Sequence, residues 1–146
     1  MAIDFEFARV GNIGAGSSWD LGHITIRVGV NEYSSKSRSM ACMVYVAISE
    51  LLTGIEQLIS GANLSFEFLA ADSSFAVLFK KQSCSIELIV EKTRLLGAVS
   101  ESEIRNTLVK SVENFLMANS LGNDEPIRQD ILSGIQALQS VSLKDR

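Results

Sequence analysis

Asn63-Leu64-Ser65-Phe66-Glu67-Phe68-Leu69, Phe75-Ala76-Val77-Leu78-Phe79 and Cys84-Ser85-Ile86-Glu87-Leu88-Ile89-Val90-Glu91 are three neighbouring runs in which large apolar residues fall at every second position. Leu64, Phe66 and Phe68 face one way, with Ser65 and Glu67 opposite. Phe75, Val77 and Phe79 repeat the pattern, as do Cys84, Ile86, Leu88 and Val90, with Ser85, Glu87 and Glu91 on the other side. A period of two is that of a pleated strand half buried in a core. The intervening segments, Ala71 to Ser74 and Lys80 to Ser83, have the length of β-hairpin connections, so an antiparallel meander is expected.

Upstream, Ile3, Phe5 and Phe7 alternate with Asp4, Glu6 and Ala8 as a first strand ending near Val10. Leu21 to Val30 forms a second, with Ile24, Ile26, Val28 and Val30 inward and His23, Thr25 and Arg27 outward. A polar stretch from Asn31 to Ser39 allows a short edge strand around Glu32 to Ser35. The period then changes. Val44, Ile48, Leu51, Leu52, Ile55, Leu58 and Ile59 recur at three and four, the pattern of an amphipathic helix ending at Ser60-Gly61. Gly54 inside it is costly relative to Ala and points to close approach of another backbone.

Downstream of the meander, Thr93 to Val99 reads as a connector or a brief last strand. Ser100-Glu101-Ser102-Glu103 spells a capping box ahead of the stripe Ile104, Leu108, Val112, Phe115 and Leu116. A last helix starts around Pro126, placed in its first turn, and buries Ile127, Ile131, Ile135 and Leu138, with a frayed tail from Ser140. The order predicts one α+β domain over residues 1–146, β-β-α-β-β-β-α-α. A mostly antiparallel sheet of five to six strands would carry the helices on one face. Its other face would present Asp4, Glu6, His23, Thr25, Arg27, Ser65, Glu67, Ser85, Glu87 and Glu91.

With 146 residues and 47% hydrophobic content, the chain can bury a core without a disulfide or metal. No apolar run reaches the length of a membrane span, and Asp4 and Glu6 stand where a signal peptide carries basic residues, so a cytoplasmic protein is expected. Cys42 and Cys84 lie far apart among apolar neighbours and read as buried free thiols. A net charge of −4 opposes direct nucleic-acid binding and suits a basic partner.

Catalytic and cofactor motifs are missing from the sequence. Gly11 to Ser18 is glycine-rich but lacks the Gly-Lys-Ser/Thr of a phosphate loop and leads into a strand, not a helix. His23 is the sole histidine, with no nucleophile motif to serve, and the acids lack calcium-loop spacing. No enzyme activity, cofactor or metal is expected. Trp19 and Tyr33 flank the second strand, where such aromatics either close a core or anchor an interface.

The layout resembles the small immunity proteins of contact-dependent and Rhs/WapI-type bacterial toxin systems. The likeness rests on Ile3-Asp4-Phe5-Glu6-Phe7, the glycine loop reaching Trp19-Asp20, Ile24-Thr25-Ile26-Arg27-Val28, the helix Val46 to Ser60, and the strands Leu64 to Phe68 and Phe75 to Phe79. Where many WapI-like relatives have a Glu-Pro pair before the fourth strand, this chain has Asp72-Ser73-Ser74. The resemblance implies a stoichiometric inhibitor that occludes a basic, nuclease-type toxin domain. On that reading Asp4, Glu6, Glu67, Glu87 and Glu91 supply charged contacts, with Trp19 and Tyr33 as anchors. Two other classes fit the composition: a small-molecule-binding or enzymatic domain with His23, Arg27 and Tyr33 around a cleft between helix and sheet, and a homodimeric adaptor.

Overall fold

The structure, a computed structural model, describes residues 2–11, 14–37, 40–70 and 73–143. Parts of the glycine loop (12 and 13), the polar stretch (38 and 39), the first meander connection (71 and 72) and the tail (144–146) lie outside the described residues. Among the described residues eight strands and three helices follow in the order β-β-β-β-α-β-β-β-β-α-α. The expected single sheet is corrected: the strands form two four-stranded antiparallel sheets.

In the first sheet β1 (Ile3–Arg9) runs against β2 (Leu21–Val28), from Ile3 opposite Val28 to Arg9 opposite Gly22. The sequence reading extends β2 to Val30, but the strand stops at Val28. Gly29 takes a φ of 61° at the first central position of a two-residue hairpin, a conformation that a side chain resists, and Val30 is wholly exposed at its tip. The turn fixes β3 (Asn31–Ser34) on the second edge of β2. The remainder of that edge is taken by β4 (Cys42–Met43), opposite Leu21 and Gly22. β1 holds the opposite edge of β2, and the meander strands pair among themselves as a second sheet.

That second sheet is ordered β5-β6-β7-β8, from β5 (Ser65–Leu69), β6 (Ala76–Gln82), β7 (Ser85–Val90) and β8 (Arg94–Ser100). The expected four-residue connection at Lys80 to Ser83 is corrected to a two-residue turn, Ser83-Cys84, because β6 stays paired through Gln82. Segment 94–100 is a full strand, bulged where Leu88 and Ile89 face it. The sheets meet where the Asn31 side chain donates to Leu96 O at 3.0 Å and the Tyr33 ring stacks on Phe75 at 4.7 Å.

Between the sheets and the later helices lies α1 (Val44–Ser60), buried around much of its circumference. Gly54 is required by a ring: a methyl there would fall inside Phe66, which stacks on Phe79. The expected close approach is therefore to a side chain and not to a backbone. Lys81 joins the end of α1 to the start of α2 (Glu101–Ala118). Its Nζ donates to Leu58 O and Ile59 O, each at 3.2 Å, and pairs with Glu101 at 3.2 Å. A cation at a helix C-terminus and an anion at a helix N-terminus each oppose the local dipole.

The capping box is half used. Ser100 Oγ accepts from Glu103 N–H at 3.1 Å, whereas the Glu103 carboxylate accepts from Ile3 N–H at 3.1 Å and so pins β1 to α2. Along that edge Phe7 meets Phe115 edge-on. The last helix, α3 (Pro126–Ser140), has proline in its first turn as expected and packs on α1. Inner faces of both sheets and all three helices share one apolar cluster. None of the described helices is long and apolar enough to cross a membrane.

Candidate functional site

Strand alternation sorts the first sheet into a core face, with Ile3, Phe5, Ile24, Ile26 and Val28, and an outer face with Asp4, Glu6, Ala8 and Val10 on β1. Cross-strand pairing sets Asp4 opposite Arg27, and the Gly29-Val30 hairpin sets Glu32 opposite Arg27 from the other side. Three carboxylates therefore converge on one guanidinium: Asp4 at 3.1 Å, Glu6 at 3.0 Å and Glu32 at 2.8 Å. The hydrogen bond to Glu6, followed by that to Glu32, drives the Arg27 pKa up from its ordinary value. Three acids against one base leave two negative charges in excess on an exposed surface.

The same face changes character along the strands. Val10 N–H donates to Leu21 O at 2.9 Å, which continues the β1–β2 register and makes these exposed apolar residues neighbours. Trp19, 79% exposed, stands just ahead of Leu21. Six residues of strand separate Asp4 from Val10, or about 20 Å. Midway lies His23, whose Nδ1 is 3.0 Å from Ser35 Oγ.

The turn bearing Trp19 is held firmly on both sides. Asp20 accepts from Ser17 N–H at 3.0 Å and pairs with the buried Arg9 guanidinium at 2.9 Å, while Glu125 accepts from Ser18 N–H at 3.3 Å and Ser18 Oγ at 3.2 Å. Nearby, Tyr45 O–H donates to Asn119 O at 2.7 Å, and burial pushes the phenol pKa up. The turn thus presents an exposed indole on a braced backbone.

Seven partner-binding residues are expected from sequence, and the structure divides them. Asp4, Glu6 and Trp19 belong to the first sheet and its approach. Tyr33 is on the core side of β3, 6% exposed and stacked on Phe75, so its ring is mostly packing. Glu67 and the half-buried Glu87 lie on the outer face of the second sheet. Glu91 is corrected from strand to turn: it adopts a φ of 52°, as Lys92 adopts 69°, and its carboxylate holds Arg94 at 2.9 Å. A groove of about 450 Å³ brings Tyr33, Glu67 and Glu91 together with Leu78 and Ile89.

Other sequence expectations also change. Thr25, expected outward in solvent, is buried and bonded to Ser34 Oγ at 2.7 Å. Cys84 is half-buried, not buried, and Cys42 is sealed, its thiol pushed up to about 11 by burial. His23, Arg27 and Tyr33 do not converge, because Tyr33 points to the core while the other two have outer-face parity. The sequence reading missed Glu32, Val10 and Leu21. Gly29 ahead of a polar run was the available signal for Glu32, since a two-residue hairpin there dictates its pairing. Among the described residues no group of three or more His, Cys, Asp or Glu side chains is arranged so that it could hold a metal ion.

Set against known protein families, curated proteins and solved structures, the chain matches none of them.

Proposed function

We propose that this chain is an immunity protein: it binds a cationic toxin domain of the nuclease type, one to one, and blocks access to that domain's active site. The observation that carries this reading is the outer face of the first sheet, with surplus negative charge around Arg27 at one end and Trp19, Val10 and Leu21 at the other. Nuclease domains hold phosphate with Lys and Arg. An acidic face attracts such a surface from a distance, and an apolar anchor slows its departure.

The side chains on this face suit recognition. Asp4, Glu6 and Glu32 are mutually oriented by Arg27, so their charges are arranged before a partner arrives. The backbone that carries Trp19 is held by the Asp20–Arg9 and Ser18–Glu125 contacts, which reduces the backbone part of the ordering cost of docking.

The test is co-expression with the C-terminal domain of the protein encoded by the neighbouring upstream reading frame. Rescue of growth, together with a one-to-one complex whose association slows with added salt, is the expected result. Absence of both rescue and complex with that domain, at equal expression and with the chain folded, overturns the proposal.

A further inference from the structure

The second sheet has one margin to which no described strand pairs, although α1 packs against the core face of β5 where Gly54 meets Phe66. β5 pairs with β6 alone. At the opposite margin β8 lies against β3, and in the first sheet α2 runs along β1. Lys81 N–H donates to Leu64 O and Ala70 N–H to Phe75 O, each at 2.9 Å. Antiparallel pairing alternates, so the even-numbered residues of β5 direct their backbone groups to β6, and Ser65, Glu67 and Leu69 direct theirs away. Among the described residues nothing bonds to those outward groups, and all three residues are exposed.

The segment Ser65-Phe66-Glu67-Phe68-Leu69 has little of the protection found on solvent-facing edges: no proline, no lysine and one charge. Leu64 adds a second anomaly. It has the parity of the buried Phe68, yet it is 74% exposed, so it lies on the core side with little of the described chain over it.

We propose that β5 is a self-association edge. It pairs antiparallel with β5 of a second copy about a twofold axis at Phe66, which joins two four-stranded sheets into one of eight. Outward groups must meet outward groups, so the twofold registers available centre on Phe66, Glu67 or Phe68. Centring on Glu67 sets it against the partner's Glu67, a like-charge contact. Centring on Phe68 sets Glu67 against the partner's Leu69 and leaves Leu64 bare. Centring on Phe66 sets each Ser65 hydroxyl opposite the partner's Glu67 carboxylate, brings the half-buried Phe66 rings side by side and covers Leu64 with the partner's Phe68. Charge and apolar burial select the same register. The edge lies on the other sheet from Asp4, Glu6 and Trp19, so this inference is independent of the proposed inhibitory role.

The experiment is sedimentation velocity on the full chain over a concentration series, comparing wild type with Glu67→Pro, Ser65→Glu and Ser65→Lys. Position 67 has its N–H directed outward, so proline removes a bond from the dimer and none from the β5–β6 ladder. Expected results are a wild-type dimer, a folded Glu67→Pro monomer by circular dichroism, weaker dimerisation for Ser65→Glu and tighter for Ser65→Lys. Each Ser65 variant should shift the dissociation constant by about three- to tenfold, since two cross-strand pairs change at once. If Glu67→Pro fails to fold, the opposed shifts of the Ser65 variants decide. A wild type that stays monomeric throughout, or Ser65 variants that do not shift in opposite directions, overturns the proposal.

Discussion

The ammonium of Lys81 and the carboxylate of Glu101 lie 3.2 Å apart with 7% and 3% of their side chains exposed, where β6 passes between the end of α1 and the start of α2. Removing one partner leaves the other charged and buried. Lys81→Met, which also strips the bonds to Leu58 O and Ile59 O, should destabilise the fold by about 3–5 kcal/mol in urea denaturation. The double variant Lys81→Met/Glu101→Gln should recover part of that loss. A double-mutant cycle with no coupling would show that the pair adds nothing.

Gly54 and Phe66 form a second sensitive contact. Alanine is the better helix former by about 1 kcal/mol, but its methyl would overlap the Phe66 ring. Gly54→Ala should therefore destabilise by about 1–3 kcal/mol, and the smaller side chain of Phe66→Leu should relieve the variant. Thermal unfolding of the two single variants and the double measures both effects.

Much of the architecture was legible because its signals are local. The 3.6-residue period of α1, the Ser100 cap, Pro126 and the alternation of β5 to β7 act within a few residues, and each element formed near its expected place, with β6 running on to Gln82 and β7 shorter at both ends. The division into two sheets was not legible. It is a matter of which strands pair across long sequence separations, and one of the pairing strands, β4, consists of only Cys42 and Met43. Two residues carry no period. At the candidate site, Asp4, Glu6 and Trp19 could be named from side-chain type and parity, whereas Glu32 joined them only through pairing across a hairpin. The burial of Tyr33 depends on Phe75, from a segment distant in sequence.

Burial of Cys42 gives stability a defined alkaline limit. Its thiol is raised from 9.0 to about 11 in the folded chain, so the folded state favours the protonated form. That contribution is fully present below pH 9 and is lost as pH rises through 11; Tyr45, raised by burial, acts in the same direction. Urea midpoints should fall across this window, and Cys42→Ala should flatten the decline. At about pH 8 a thiol reagent should modify half-buried Cys84 in the native protein and Cys42 only after unfolding.

The two ends of the first-sheet face should separate kinetically. Asp4→Asn/Glu6→Gln should slow association with a cationic partner about tenfold at low salt, a difference that shrinks as salt is raised. Trp19→Ala should change stability by less than about 0.5 kcal/mol, because the ring is exposed, yet speed dissociation about thirtyfold. Stopped-flow association and surface-based dissociation rates measure the two effects independently.

The bond from Ile3 N–H to Glu103 has a consequence for biosynthesis. Strand β1 is fastened by a helix synthesised a hundred positions after it, and Phe7, Tyr45 and Ser18 likewise wait for Phe115, Asn119 and Glu125. The first sheet must remain unfinished until the segment reaching Glu125 has emerged, open during that interval to chaperones and proteases that the folded protein excludes.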